Sequence, residues 1–99
     1  AILYAAAKGF VSTITRGHAK EFVEDGIRVN AVAPGIITTP FHDRYTSPEM
    51  LDAQRRGVPM QRVGTPEECV GAFLFLASPS LSGYVTGQII EVNGGQLMP

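Results

Sequence analysis

The sequence predicts an α/β fold built on a parallel sheet, and three observations carry that expectation. Two short apolar runs, Ile27 to Ala33 and Gln88 to Val92, each close on a glycine-bearing turn, as strands do. The stretch between them carries helix-start signals and is long enough to be a crossover connection, which makes the two strands parallel neighbours in a right-handed βαβ unit. Ahead of the first strand, apolar residues recur at three-and-four spacing, the mark of a long helix.

That first helix runs from residue 3 to about 24, with Leu3, Ala7, Phe10, Val11, Ile14 and Phe22 on its stripe and Gly26 as its stop. In the strand that follows, Ile27, Val29, Ala31 and Ala33 share one face, and Pro34-Gly35 ends it. Residues 36 to 61 read as a long irregular connection containing a short helix, opened by Ser47 as cap with Pro48 at the first helical position. Thr65-Pro66-Glu67-Glu68 is a second helix start, where threonine caps an amide and Glu68 reaches back. Val70, Phe73, Leu74 and Ala77 are expected to form its buried stripe, Ser78-Pro79 its end, and Gly94-Gly95 the close of the last strand. Two strands do not complete such a sheet, because parallel strands are covered on both faces and flanked by others, so the chain is expected to be the second half of a larger domain.

Composition excludes several functions. Ninety-nine residues, 44% hydrophobic and 17% charged, suit one soluble globular domain at most. A net charge of −1 with dispersed basic residues gives no footprint for nucleic acid or an anionic membrane. One cysteine and two histidines without zinc-ligand spacing predict no metal, no disulfide framework and a reduced, cytoplasmic setting. No run is apolar enough to span a bilayer, and no signal peptide is visible.

Chemistry enters with Tyr4-Ala5-Ala6-Ala7-Lys8. A spacing of four on a helix stacks both side chains on one face, where an ammonium favours the phenolate and makes the phenol proton easier to transfer. That is the tuning a general acid/base requires.

Together these segments resemble the short-chain dehydrogenase/reductase family over nearly the whole chain. Tyr4 to Lys8 is similar to the family's active-site helix motif, Gly26 to Gly35 with Ile37, Thr38, Thr39 and Pro40 to the strand and turn after it. Arg62 to Glu68 and Phe73 to Ser78 resemble the late helix, and Tyr84 to Gly95 the final strand. The resemblance implies the C-terminal part of a Rossmann-type doubly wound parallel sheet, with residues 1–99 the C-terminal half of one dinucleotide-binding catalytic domain and 40–62 a substrate lid. It implies an oxidoreductase that interconverts a hydroxyl and a carbonyl by hydride transfer with NAD or NADP. Tyr4 would be the acid/base, and Lys8 would lower its pKa and bind the nicotinamide ribose. Pro34 and Gly35 would lie against the nicotinamide, backbone groups of Ile37 would meet its carboxamide, and Thr39 a pyrophosphate oxygen. The family's glycine-rich turn and upstream serine have no match in these residues, so the chain alone is expected to be inactive and to need the missing N-terminal half of the same protein. The alternative is a non-catalytic piece acting only by association with a partner chain.

Other residues have structural expectations. His18 reads as a helix-packing or subunit-contact residue, Cys69 as a buried inert thiol, and Asn30 as a satisfied polar group. His42, Arg44, Arg55 and Arg56 lie in or near the lid and suit a carboxylate or phosphate. Gly9, Gly17 and Gly71 inside helices point to close packing against another helix. The resemblance adds that such packing joins subunits of a homotetramer or dimer.

Overall fold

The structure is a computed structural model that describes residues 2–39 and 46–99. It is a mixed α/β chain with helices α1 (Ile2–Phe22), α2 (Pro48–Arg56), α3 (Glu67–Ala77) and α4 (Pro79–Ser82), and strands β1 (Ala31–Pro34) and β2 (Ile89–Val92). The chain divides into two compact units, Ala1–Ala31 with Leu74–Ile90 and Val32–Phe73 with Glu91–Pro99. Each strand passes from the first unit into the second. In the first unit Ala31 N–H donates to Gln88 O at 2.9 Å, and in the second Gly35 N–H donates to Val92 O at 2.9 Å. Both partners advance in the same direction, so β1 and β2 run parallel, as expected.

In the first unit, alanines and straight-chain residues keep α1 helical for 21 residues, and Thr15 ties its hydroxyl to Val11 O at 2.7 Å. A single 3-10 turn, Val23–Asp25, leads to Gly26, whose φ of 72° is the left-handed position that glycine tolerates at a helix end. The strand expected from Ile27 is shorter than its pattern: Gly87 N–H donates to Val29 O at 2.7 Å, but side chains and a turn take other backbone groups at the start of the pairing. Ile27 N–H donates to Phe22 O, Val29 N–H to the Thr86 hydroxyl at 3.1 Å, and Gln88 N–H to the Asn30 side-chain oxygen at 3.0 Å. Asn30 also donates to Val85 O at 3.1 Å, which makes it the satisfied structural polar group its strand position implied.

Arg28 organises this unit. Its guanidinium donates to Leu76 O at 2.9 Å, Ser82 O at 3.0 Å, the Ser82 hydroxyl at 3.1 Å and Val85 O at 3.2 Å. Leu76 and Ser82 stand at the ends of α3 and α4, where carbonyls lack intrahelical partners and the helix dipole favours a cation. Ser82 is the most buried side chain of the clamp, 1% exposed.

In the second unit, Ser47 caps α2 as expected by accepting from Met50 N–H at 3.2 Å, with Pro48 at the first helical position. α3 starts by the expected reach-back: the Glu68 carboxylate accepts from Thr65 N–H at 3.1 Å. The Thr65 hydroxyl, expected to cap an amide, instead donates to that same carboxylate at 3.4 Å, because Glu68 N–H is taken by Thr65 O. Arg62 grips Glu68 with both arms, at 2.8 and 2.7 Å. Val58, 2% exposed, and Cys69 form what this unit buries, so the thiol is buried as its helix position implied.

The expected buried stripe on α3 fails too. Val70, Phe73, Leu74 and Ala77 do not form a buried stripe; Phe73 is 57% and Leu74 65% exposed. The apolar spacing marks a face that packs, but no described residue of this chain covers it. The same holds for Leu3 and Phe10 on α1. A methyl group added at Gly9, Gly17 or Gly71 meets nothing within 4 Å, so close packing at these glycines is absent among the described residues. Half-buried His18 stacks at a tilt on Phe22 of its own helix, ring centroids 5.6 Å apart.

Candidate active site

The sequence-predicted site residues fall in both units. Tyr4 and Lys8 lie on the first two turns of α1 in the first unit. The spacing of four brings them together: the Lys8 Nζ stands 5.7 Å from the centroid of the Tyr4 ring, within cation–π range. Both are exposed, and the three alanines between them add no bulk over the ring. The phenol and the ammonium therefore share one accessible helix face.

Pro34, Gly35, Ile37 and Thr39 belong to the second unit, on the chain leaving the carboxyl end of β1, where open α/β sheets bind ligands. Gly35 is required there for a reason its sequence did not disclose. A Cβ at this position would lie 2.6 Å from Asn93 Cβ and 2.8 Å from Asn93 Cα, so only glycine lets the turn after β1 pass the turn after β2. Next, Ile37 bridges to Gly64 in parallel fashion. Gly64 N–H donates to Ile36 O, and Thr38 N–H and hydroxyl both donate to Gly64 O, each at 2.9 Å. A parallel bridge of this kind turns the N–H and C=O of the central residue to the opposite side. The backbone pair of Ile37 thus has no partner among the described residues, one donor and one acceptor side by side. Thr39 follows, half-buried.

Two cavities open in this unit. One of about 300 Å³ lies past the ends of both strands, with Ile37, Met60, Arg62, Glu68, Glu91 and Asn93 on its walls. The other, about 410 Å³, lies against α2, between Leu51, Asp52 and Arg55 on one side and Thr38, Arg62 and Val63 on the other.

Of the expected anion-binding candidates, His42 and Arg44 lie outside the described residues, as does Pro40 of the turn after β1. Arg55 and Arg56 both donate to Asp52, one to each carboxylate oxygen. Arg62 holds the Glu68 carboxyl at about 2, far below its usual 4.5, first by its hydrogen bond and then with help from Thr65 N–H. Sequence reasoning missed both networks. The signal of the first was present at the i, i+3 and i, i+4 spacing of Asp52 from Arg55 and Arg56, whereas Arg62 and Glu68, six residues apart, carry none. The Arg28 clamp had no such signal, since its acceptors are backbone carbonyls far along the chain.

Comparison with known proteins adds the family context. Residues 1–96 match the family model described as enoyl-(acyl carrier protein) reductase. The chain is 45% identical over 95 residues to the uncharacterized oxidoreductase YhxC of Bacillus subtilis, covering 96% of this chain and 33% of that protein. It is 42% identical over 95 residues to the NADPH-dependent aldehyde reductase 1, chloroplastic, of Arabidopsis thaliana, with 96% and 33% covered. Among solved structures, the NADH-dependent reductase A1-R′ responsible for alginate metabolism superposes with a TM-score of 0.81 at 42% identity, over 97% of this chain and 34% of that one. The chain thus spans about a third of the length of the curated relatives it matches.

Proposed function

The chain belongs to the short-chain dehydrogenase/reductase family, and we propose that it supplies the proton-transfer couple and part of the nicotinamide site of an enzyme that interconverts a hydroxyl and a carbonyl. The observation that carries this reading is the Tyr4–Lys8 pair, held 5.7 Å apart by helix geometry on an exposed face. Tyr4 holds the proton at its phenol oxygen, giving it to a carbonyl oxygen in reduction and taking it from a hydroxyl in oxidation. Lys8 stabilises the phenolate left behind and offers its ammonium to a ribose hydroxyl.

The residues after β1 fit a nicotinamide. A carboxamide has one donor group and one acceptor, and Ile37 presents the complementary backbone pair on the side away from Gly64. Pro34 and Gly35 offer a surface for the ring, and Thr39 a hydroxyl for a pyrophosphate oxygen. When bound, NAD or NADP supplies or accepts the hydride. The names of relatives support either dinucleotide, one being NADH-dependent and another NADPH-dependent.

These residues include no match for a glycine-rich phosphate turn or for a serine upstream of Tyr4. In the proposal they act only together with further chain of the same protein, and the open α1 face with Gly9 and Gly17 joins subunits of a homo-oligomer. Tyr4→Phe in the full-length enzyme tests the assignment. It keeps the ring and removes the proton, so kcat should fall about 100-fold or more with cofactor affinity retained. Turnover within about threefold of wild type rejects the role of Tyr4.

A further inference from the structure

The cavity against α2 has a chemistry that the proton-transfer couple does not use. Its volume of about 410 Å³ suits a small molecule. Thr38 places it beside the chain leaving the carboxyl end of β1, and Leu51 and Val63 give it an apolar part beside the solvent-accessible Asp52 and Arg55. Charge is unevenly shared around it. Arg62 is balanced by Glu68, which stays ionised down to a pH of about 2. Asp52 serves Arg55 and Arg56 at once, so its single charge is divided between two cations; Asp52 and Arg55 face the cavity and Arg56 does not. Arg55 is the cation of that cluster on the cavity wall, and one arm of its fork is engaged with Asp52, leaving donors for a second acceptor. The Asp52 contact also limits the rotamers of Arg55, which reduces the ordering needed when a ligand arrives.

We propose that this cavity receives an anionic group, a carboxylate or a phosphate, carried by the carbonyl or hydroxyl substrate, and that Arg55 selects for it. This rests on the hydride-transfer reading above and narrows it to acidic substrates.

The test uses the full-length enzyme with both cofactors and matched carbonyl pairs: succinic semialdehyde against butanal for a carboxylate, and glyceraldehyde 3-phosphate against glyceraldehyde for a phosphate. The anionic member of at least one pair should have a kcat/KM tenfold or more above its neutral partner. Arg55→Gln should cut that ratio at least fivefold, and Arg55→Lys, which keeps the charge without the fork, should restore part of it. The proposal is overturned by turnover with no preference for either anion, or by a preference that Arg55→Gln leaves intact. It is equally overturned if Arg55→Gln raises the KM for NAD(P) and leaves the substrate ratio unchanged, since the anion is then the cofactor's phosphate. No turnover of any carbonyl with either cofactor rejects the hydride-transfer reading itself, and this inference with it.

Discussion

Arg28 carries its guanidinium to the ends of α3 and α4 and donates to the carbonyls of Leu76, Ser82 and Val85, each of which also accepts from one neutral donor: the Ser82 hydroxyl, Val85 N–H and the Asn30 amide respectively. Arg28→Met keeps much of the stem but removes the charged donor from these acceptors in a partly buried setting. We expect a loss of about 1.5–3 kcal/mol in urea unfolding of the full-length protein, in line with the loss of hydrogen bonds from a charged donor. A change below about 0.5 kcal/mol would show that water replaces the clamp. Tyr4 and Lys8 are the opposite kind of residue. Their relation is local, set by helix pitch alone, and was legible from the spacing of four. Gly35 stands between the two: its type pointed to a close approach, but the partner of that approach, Asn93, was visible only in the folded chain.

At the scale of elements, caps were read well and strand limits less so. Ser47 and Glu68 cap where their sequence neighbours placed them, since capping partners lie within one helical turn. β1 begins at Ala31 rather than Ile27 because Thr86 and Asn30 side chains intercept backbone groups, a competition that an apolar pattern does not encode. The start of α3 also carries a pH dependence. Glu68 titrates at about 2 in the fold against an ordinary 4.5. A depressed carboxylate contributes stability that is fully present above its unfolded pKa and is lost as pH falls through the folded one. The contribution of Glu68 should therefore be constant above a pH of about 5 and vanish towards about 2. Melting curves of wild type and Glu68→Gln across that range should converge at the acid end, and a constant gap would count against the Arg62 pair as the cause.

For the whole chain, the exposed faces of α1 and α3 are the main structural fact. Leu3, Phe10, Phe73 and Leu74 have the spacing of core residues and remain more than half exposed. Such faces pack in the folded protein of which they are part, so the 99 residues by themselves should not hold a cofactor. Isothermal titration of purified residues 1–99 with NAD or NADP is expected to show no binding at micromolar concentrations. A micromolar Kd would mean that the turn from Pro34 to Thr39 and the Tyr4 helix suffice.

By itself the sequence determined three of the four helices, the Ser47 and Glu68 caps, the two strands and the proximity of Tyr4 and Lys8, because these depend on residues one or two turns apart or on a period along one element. Tertiary structure alone decided where β1 begins, why position 35 is glycine, what Arg28 holds and which of the two arginines on Asp52 faces the cavity. These depend on groups brought together from distant parts of the chain, whose meeting is set by the packing of elements and leaves no periodic trace in the sequence.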